Sequence, residues 1–89
     1  MNNKETALKM FRTIPGVGKK MSNHFWDMGL RSLDDLKKKD PEELYFRMCA
    51  YQQTEVDRCV LYVFRCAVYY VSEKDHDPYL LKWWNWKDK

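Results

Sequence analysis

A glycine-containing turn near the N-terminus is the feature that most constrains the fold of this 89-residue chain. Pro15 cannot continue a helix, and Gly16 and Gly18 can adopt backbone angles that a residue with a Cβ resists. Helical patterns flank the turn, so the sequence predicts two helices joined by a tight hairpin. Lys19 and Lys20 follow directly, and two cations in a first helical turn are unfavourable unless an anion lies nearby. The sequence therefore predicts an anion site where the second helix begins.

The anion that best matches this pattern is a nucleic-acid phosphate. Glycine leaves the first N–H groups of the following helix uncovered, and those groups have no acceptor inside the helix. We expect the amides of residues 16–18 to approach phosphate oxygens, with the two lysines adding charge and the proline stiffening the approach. The predicted phosphate-binding residues are Pro15, Gly16, Val17, Gly18, Lys19 and Lys20. A purely structural corner between two helices is the alternative interpretation.

Basic residues are concentrated in the half of the chain that contains the turn. Residues 1–40 hold nine Lys/Arg and five Asp/Glu, whereas residues 41–89 hold seven and eight. An excess of this size favours weak binding of a polyanion by the first half. Phosphate contacts position a protein without reading sequence, so we expect nonspecific binding of nucleic acid with a Kd on the order of 10⁻⁴–10⁻⁶ M at physiological salt.

Length and composition predict one domain over residues 1–89 that is not an enzyme. Hydrophobic residues make up 45% of the chain, enough for a core, but little length remains for a catalytic cleft. Ser32 and Ser72 lie at a predicted cap and in a linker, and the acid pairs at 34–35 and 42–43 lie where helices begin. We therefore expect no catalytic residues. Arg65 interrupts the most apolar segment, so no membrane-spanning helix is predicted.

The cysteines and histidines predict no metal site and no cofactor. Three cysteines without a secretory signal favour reduced thiols and a cytoplasmic location. Cys59 and Cys66 share a helix face but lie about 10.5 Å apart along it. That separation is too large for one zinc ion with bonds of ~2.3 Å. Cys49, His24 and His76 are isolated in the sequence.

Cap signals divide the chain into helices. Gly29 is the predicted left-handed end of the second helix, and Ser32, Asp40 and Thr54 are predicted N-caps. The predicted helices cover residues 5–13, 18–28, 33–39, 41–51 and 56–71, followed by a segment that starts at Asp77-Pro78. The predicted fold is all-α, a single domain of five or six helices around a buried helix 56–71.

Within that domain we expect a hairpin unit at about 5–29, with the remaining helices and a tryptophan-rich lid at about 32–89. Residues 14–28 and 33–51 also echo each other. This echo leaves open a degenerate tandem pair of hairpins with a SAM-domain-like arrangement.

The C-terminal segment admits three interpretations. It carries three of the four tryptophans, at Trp83, Trp84 and Trp86. The favoured interpretation folds Leu80, Trp83 and Trp84 back as a lid that completes the core. A second stacks the indoles on unpaired bases, with Lys82 and Lys87 near the backbone. A third makes the aromatic face a surface for a protein partner or a homodimer.

The pattern Ile14-Pro15-Gly16-Val17-Gly18-Lys19 resembles the helix-hairpin-helix element of DNA repair polymerases, glycosylases and ligases. More closely, residues 14–88 are similar to a family of small stand-alone bacterial helix-hairpin-helix proteins labelled "pathogenicity locus protein" and "mitomycin resistance-related". Segments 40–45, 57–66 and 82–87 contribute to that similarity.

The resemblance implies DNA binding, in an accessory role near DNA repair or maintenance. It also implies that the carbonyls of Arg12, Ile14 and Val17 can hold a monovalent cation. The alternative function is a protein–protein interaction module in which the hairpin is structural and the tryptophan-rich face binds a partner.

Overall fold

The computed structural model describes residues 3–37 and 39–87, and within them the secondary structure is entirely helical. The α-helices are α1 (Asn3–Phe11), α2 (Lys19–Asp27), α3 (Leu33–Leu36), α4 (Pro41–Gln52) and α5 (Arg58–Ser72). Two 3₁₀ helices follow, η1 (Pro78–Leu81) and η2 (Trp83–Trp86). The predicted all-α class with five helices is confirmed.

Helix α5 is the centre of the core, as its apolar sequence predicts. Leu61, Phe64 and Ala67 are completely buried on it, and α3, α4, η1 and η2 all pack against it. Helices α1 and α2 pack on each other. Phe25 of α2 joins this pair to the core, because its ring lies 5.3 Å from that of Phe11 and 5.6 Å from that of Phe64.

Local capping sets several helix ends where the sequence predicts them. The Asp40 carboxylate accepts the Glu42 amide at 2.9 Å, with Pro41 as the first residue of α4. Gly29 follows α2 with φ +93°. The Asp77 carboxylate accepts the Tyr79 amide at 2.9 Å and begins η1.

Helix α3 is shorter than the predicted 33–39. Asp35 Oδ2 accepts the Ser32 amide at 3.2 Å, as the cap signal indicates, but the helix ends at Leu36. Lys37 is already extended (φ −61°, ψ 126°), and Lys38 lies outside the described residues. The predicted last turn is lost because the amides of Lys37 and Lys39 bond to carbonyls three residues back, those of Asp34 and Leu36, instead of continuing the α-helical pattern.

The predicted Thr54 cap of the central helix is wrong. Helix α5 begins at Arg58, and the Asp57 carboxylate accepts the Cys59 amide at 2.9 Å. Tertiary contacts hold Val56 outside the helix: the Tyr45 hydroxyl donates to its carbonyl. Contacts between segments thus override a local cap signal.

No helix in residues 3–37 or 39–87 is long and apolar enough to cross a membrane.

Candidate functional site

The turn between α1 and α2 is anchored by its two apolar residues. The Val17 amide donates to the Ile14 carbonyl at 3.1 Å, and Pro15 and Gly16 occupy the two positions between them. Gly16 has φ +85°, which suits the third position of a type II turn. The side chains of Ile14 and Val17 are buried, whereas Gly16 and Gly18 are exposed. The core therefore fixes the turn and leaves its glycine backbone at the surface.

The amides of this turn are not equivalent. Gly18 is the N-cap of α2 and supplies no side chain to its first amides. Within the described residues, no hydrogen-bond acceptor lies against the amides of Gly16, Gly18 or Lys19. The Val17 amide is committed to the turn, contrary to the expectation that it would face a phosphate together with its neighbours. The open donors in the described residues therefore include the glycine amides on either side of it and the Lys19 amide.

Positive charge accumulates at the start of α2. Lys19 and Lys20 are exposed, and the first turn of the helix holds no acidic residue. Neither lysine forms an ion pair with any described residue. Arg12 is also exposed, and its Nε donates to the Leu8 carbonyl at 3.3 Å. The helix N-terminus is itself positive, so these charges add to it and favour an anion.

The three carbonyls implied for a monovalent cation lie in this same turn. The Ile14 carbonyl accepts the Val17 amide and retains its second lone pair. In the described part of the chain, no donor is directed at the carbonyls of Arg12 or Val17. Three oxygen donors fit a hard cation in kind.

The C-terminal segment lies directly against the turn. A Cβ placed on Gly16 would lie 2.9 Å from Trp83 Cδ1. Cys66 of α5 lies beneath both, with its Sγ 3.9 Å from the Pro15 carbonyl oxygen and 3.5 Å from that of Leu81. This segment was predicted to cover the central helix, and it covers the inner side of the turn as well.

The C-terminal segment packs on α5, but its exposed and packed indoles differ from the expectation. Trp83 packs on the core, whereas Trp84 remains 48% exposed. Trp86 takes the packed role, because its ring lies 5.5 Å from that of Tyr69 and its Nε1 donates to the Leu80 carbonyl at 2.7 Å. Only Trp84 of the three therefore offers a broad aromatic surface.

Arg65 fastens the lid to the rest of the fold. Its Nη1 donates to the Trp86 carbonyl at 2.8 Å, and its Nε contacts Glu42 Oε1 at 3.2 Å. One guanidinium thus joins α4, α5 and η2. The sequence gives no signal of this role, because the three elements are distant along the chain.

The cysteines occupy three different environments. Burial raises the pKa of the Cys66 thiol to about 11. Cys59 is exposed, and its hydrogen bond with Asp57 raises the pKa of its thiol. Cys49 is half-buried. The described residues contain no group of three metal-ligating side chains.

A separate groove lies beside α1 and was not predicted. It is lined by Met10, Trp26 and Arg31 among others. The Arg31 guanidinium lies 3.7 Å from the centre of the Trp26 ring and donates to the Trp26 carbonyl at 2.7 Å. Trp26 thus holds this arginine at the edge of the groove.

The fold and the turn define a class: a small all-α protein with an exposed, lysine-flanked glycine turn between two helices. Comparison with protein families identifies the family: the one described as "Cdd1: Pathogenicity locus" matches residues 4–89. The chain belongs to this family. No curated protein and no solved structure matches the chain. The family description states no activity, so an assignment of function depends on the geometry of the site.

Proposed function

We propose that the protein binds DNA without sequence preference, using α1, the turn and α2 as a helix-hairpin-helix. The observation that carries this proposal is the combination of amides at Gly16 and Gly18 that have no acceptor among the described residues with the exposed cations Lys19 and Lys20, which form no ion pair with those residues. Both glycines are exposed, so a ligand can approach the backbone. A phosphate supplies acceptors for the amides and negative charge for the lysines and the helix N-terminus.

The proposed contacts explain the expected mode of binding. Phosphate oxygens accept from the two glycine amides, while the lysine side chains neutralise neighbouring phosphates. None of these groups reads a base edge, so affinity depends on salt and hardly on sequence. Neutralising three phosphates would give a log–log salt slope of about −2.7.

The accessory role in DNA repair or maintenance, and the link to mitomycin resistance, belong to the same proposal. The protein would act there by binding rather than by catalysis. A monovalent cation held by the carbonyls of Arg12, Ile14 and Val17 would add positive charge beside the phosphate.

The test is a double charge reversal, Lys19→Glu with Lys20→Glu, assayed by fluorescence anisotropy with a short labelled duplex. Both side chains are exposed, so the fold should be retained while DNA affinity collapses. Lys37→Glu with Lys39→Glu is the matched control, since it makes the same change in net charge between α3 and α4. Equal losses in the two variants, or no loss in the first, would remove the hairpin as the site.

The alternative function is a protein-interaction module. Exposed aromatic side chains favour it, notably Phe46 at 65% and Tyr51 at 49% on α4, and Trp84 on the lid. Salt distinguishes the two functions, because an apolar protein interface should hardly respond to it whereas phosphate contacts weaken steeply.

A further inference from the structure

Trp84 is the exposed member of an aromatic pair that begins at the hairpin turn. Trp83 lies against Gly16, and the Trp84 ring stands perpendicular to the Trp83 ring with 5.8 Å between their centroids. Trp84 itself is 48% exposed. The exposed indole of Trp84 is therefore joined to the turn through a single ring, that of Trp83.

The backbone that carries Trp84 is held on both sides. The Trp86 carbonyl accepts from Arg65, and Asn85 Nδ2 donates to the Tyr79 carbonyl at 2.8 Å. Trp83, which precedes it, packs on the core. A platform fixed in this way loses little conformational freedom when a flat ligand stacks on it.

Lysines precede and follow Trp84 in its segment. Lys82 and Lys87 are both exposed there. An exposed indole with lysines on the same segment resembles the stacking side chains and basic residues of proteins that bind single strands.

We propose that Trp84 stacks on an unpaired base of single-stranded DNA whose backbone phosphate lies at the hairpin turn. This inference rests on the proposed function and names its preferred substrate. In a duplex the bases already stack on one another, so Trp84 contributes nothing there. The lysine at position 82 contacts the same strand as the hairpin lysines.

The test compares a labelled oligothymidine with a short duplex for the wild-type protein and Trp84→Ala. We expect Trp84→Ala to weaken binding of the single strand by about 5- to 140-fold, from the usual range for loss of one base–aromatic stack. Duplex binding should stay unchanged. Phe46→Ala is the matched control, because it removes an exposed aromatic side chain from α4 and should change neither affinity.

A second measurement on the wild-type protein avoids any effect of the substitution on folding. The Nε1–H NMR signal of Trp84 should shift on addition of oligothymidine and stay in place with the duplex. An unmoved signal, or an equal loss of affinity for both DNAs in Trp84→Ala, would overturn the inference. If Lys19→Glu/Lys20→Glu loses single-strand binding but Trp84→Ala does not, this inference fails while the proposed function stands. If neither DNA binds the wild-type protein, the proposed function fails and this inference fails with it.

Discussion

Trp83 of η2 and Gly16 of the hairpin turn are in such close contact that a Cβ at position 16 would lie 2.9 Å from Trp83 Cδ1. The contact joins the turn to the C-terminal lid, two parts of the chain that are far apart in sequence. A glycine is therefore favoured at position 16 for two reasons: the backbone has a positive φ, and the indole of Trp83 occupies the space where a Cβ would lie. A change at this position should disturb the turn and the lid together.

Gly16→Ala should lower the free energy of unfolding by about 1–3 kcal/mol, because the new Cβ meets a left-handed backbone and a neighbouring ring. Urea unfolding followed by tryptophan fluorescence measures this loss. Two other glycines separate the causes. Gly29 has φ +93° with open space around it, and Gly18 has neither constraint. We expect the largest loss of unfolding free energy in Gly16→Ala, a smaller loss in Gly29→Ala and the smallest in Gly18→Ala. Equal losses at positions 16 and 29 would show that the contact with Trp83 adds no destabilisation.

Arg65→Ala should loosen the lid. The substitution removes the bond to the Trp86 carbonyl and the ion pair with Glu42, and a hydrogen bond from a charged donor contributes about 1.5–3 kcal/mol. Glu42→Gln should cost less, since the Glu42 side chain is 45% exposed and such pairs contribute little. Equilibrium unfolding of both variants checks the order, and a larger loss in Glu42→Gln would show that the lid bond is unimportant.

Asp57 should make stability depend on acid pH. Hydrogen bonding from Cys59 lowers the pKa of the Asp57 carboxyl. A carboxyl whose pKa is lowered by folding stabilises the native state above its unfolded pKa. This contribution disappears as the pH falls below about 4 and through the folded pKa. The stability difference between wild type and Asp57→Asn, which keeps an acceptor but does not titrate, should shrink across that window. If the plots of unfolding free energy against pH stay parallel for the two proteins, Asp57 does not have this effect on stability.

The three thiols should react with a disulfide reagent in a fixed order. Cys59 is exposed and should react first, although its raised pKa slows it relative to a free cysteine. Cys66 is completely buried, with a pKa raised to about 11, and should react only after unfolding. Mass spectrometry of partially labelled protein reads the order. Early labelling of Cys66 would mean that the lid opens readily.

The parts of the fold that the sequence predicts well are those decided by neighbouring residues. Asp40-Pro41 and Asp77-Pro78 each begin a helix, because a side chain caps an amide two residues later. The glycine after α2 has the predicted positive φ. The start of α5 was missed because Tyr45, on another helix, holds Val56 outside it. A local cap pattern contains no trace of such a contact.

The same distinction applies to the candidate site. The residues of the turn are predictable, because proline, glycine and lysine act through their own backbone and charge. The commitment of the Val17 amide to the Ile14 carbonyl depends on how the turn closes. The placement of Trp83 against the turn depends on its long-range contact with Gly16. Sequence alone indicated a tryptophan-rich lid, but not which indole stays exposed.

An amide NMR titration of the protein with a short DNA duplex, at low and at moderate salt, tests most directly whether the hairpin binds phosphate. We expect shifts centred on the amides of Gly16 and Gly18 and on Lys19 and Lys20, which fade as salt rises. If these amides stay in place while other surfaces respond, or if salt has no effect, the hairpin does not bind phosphate. The protein-interaction function would then take first place.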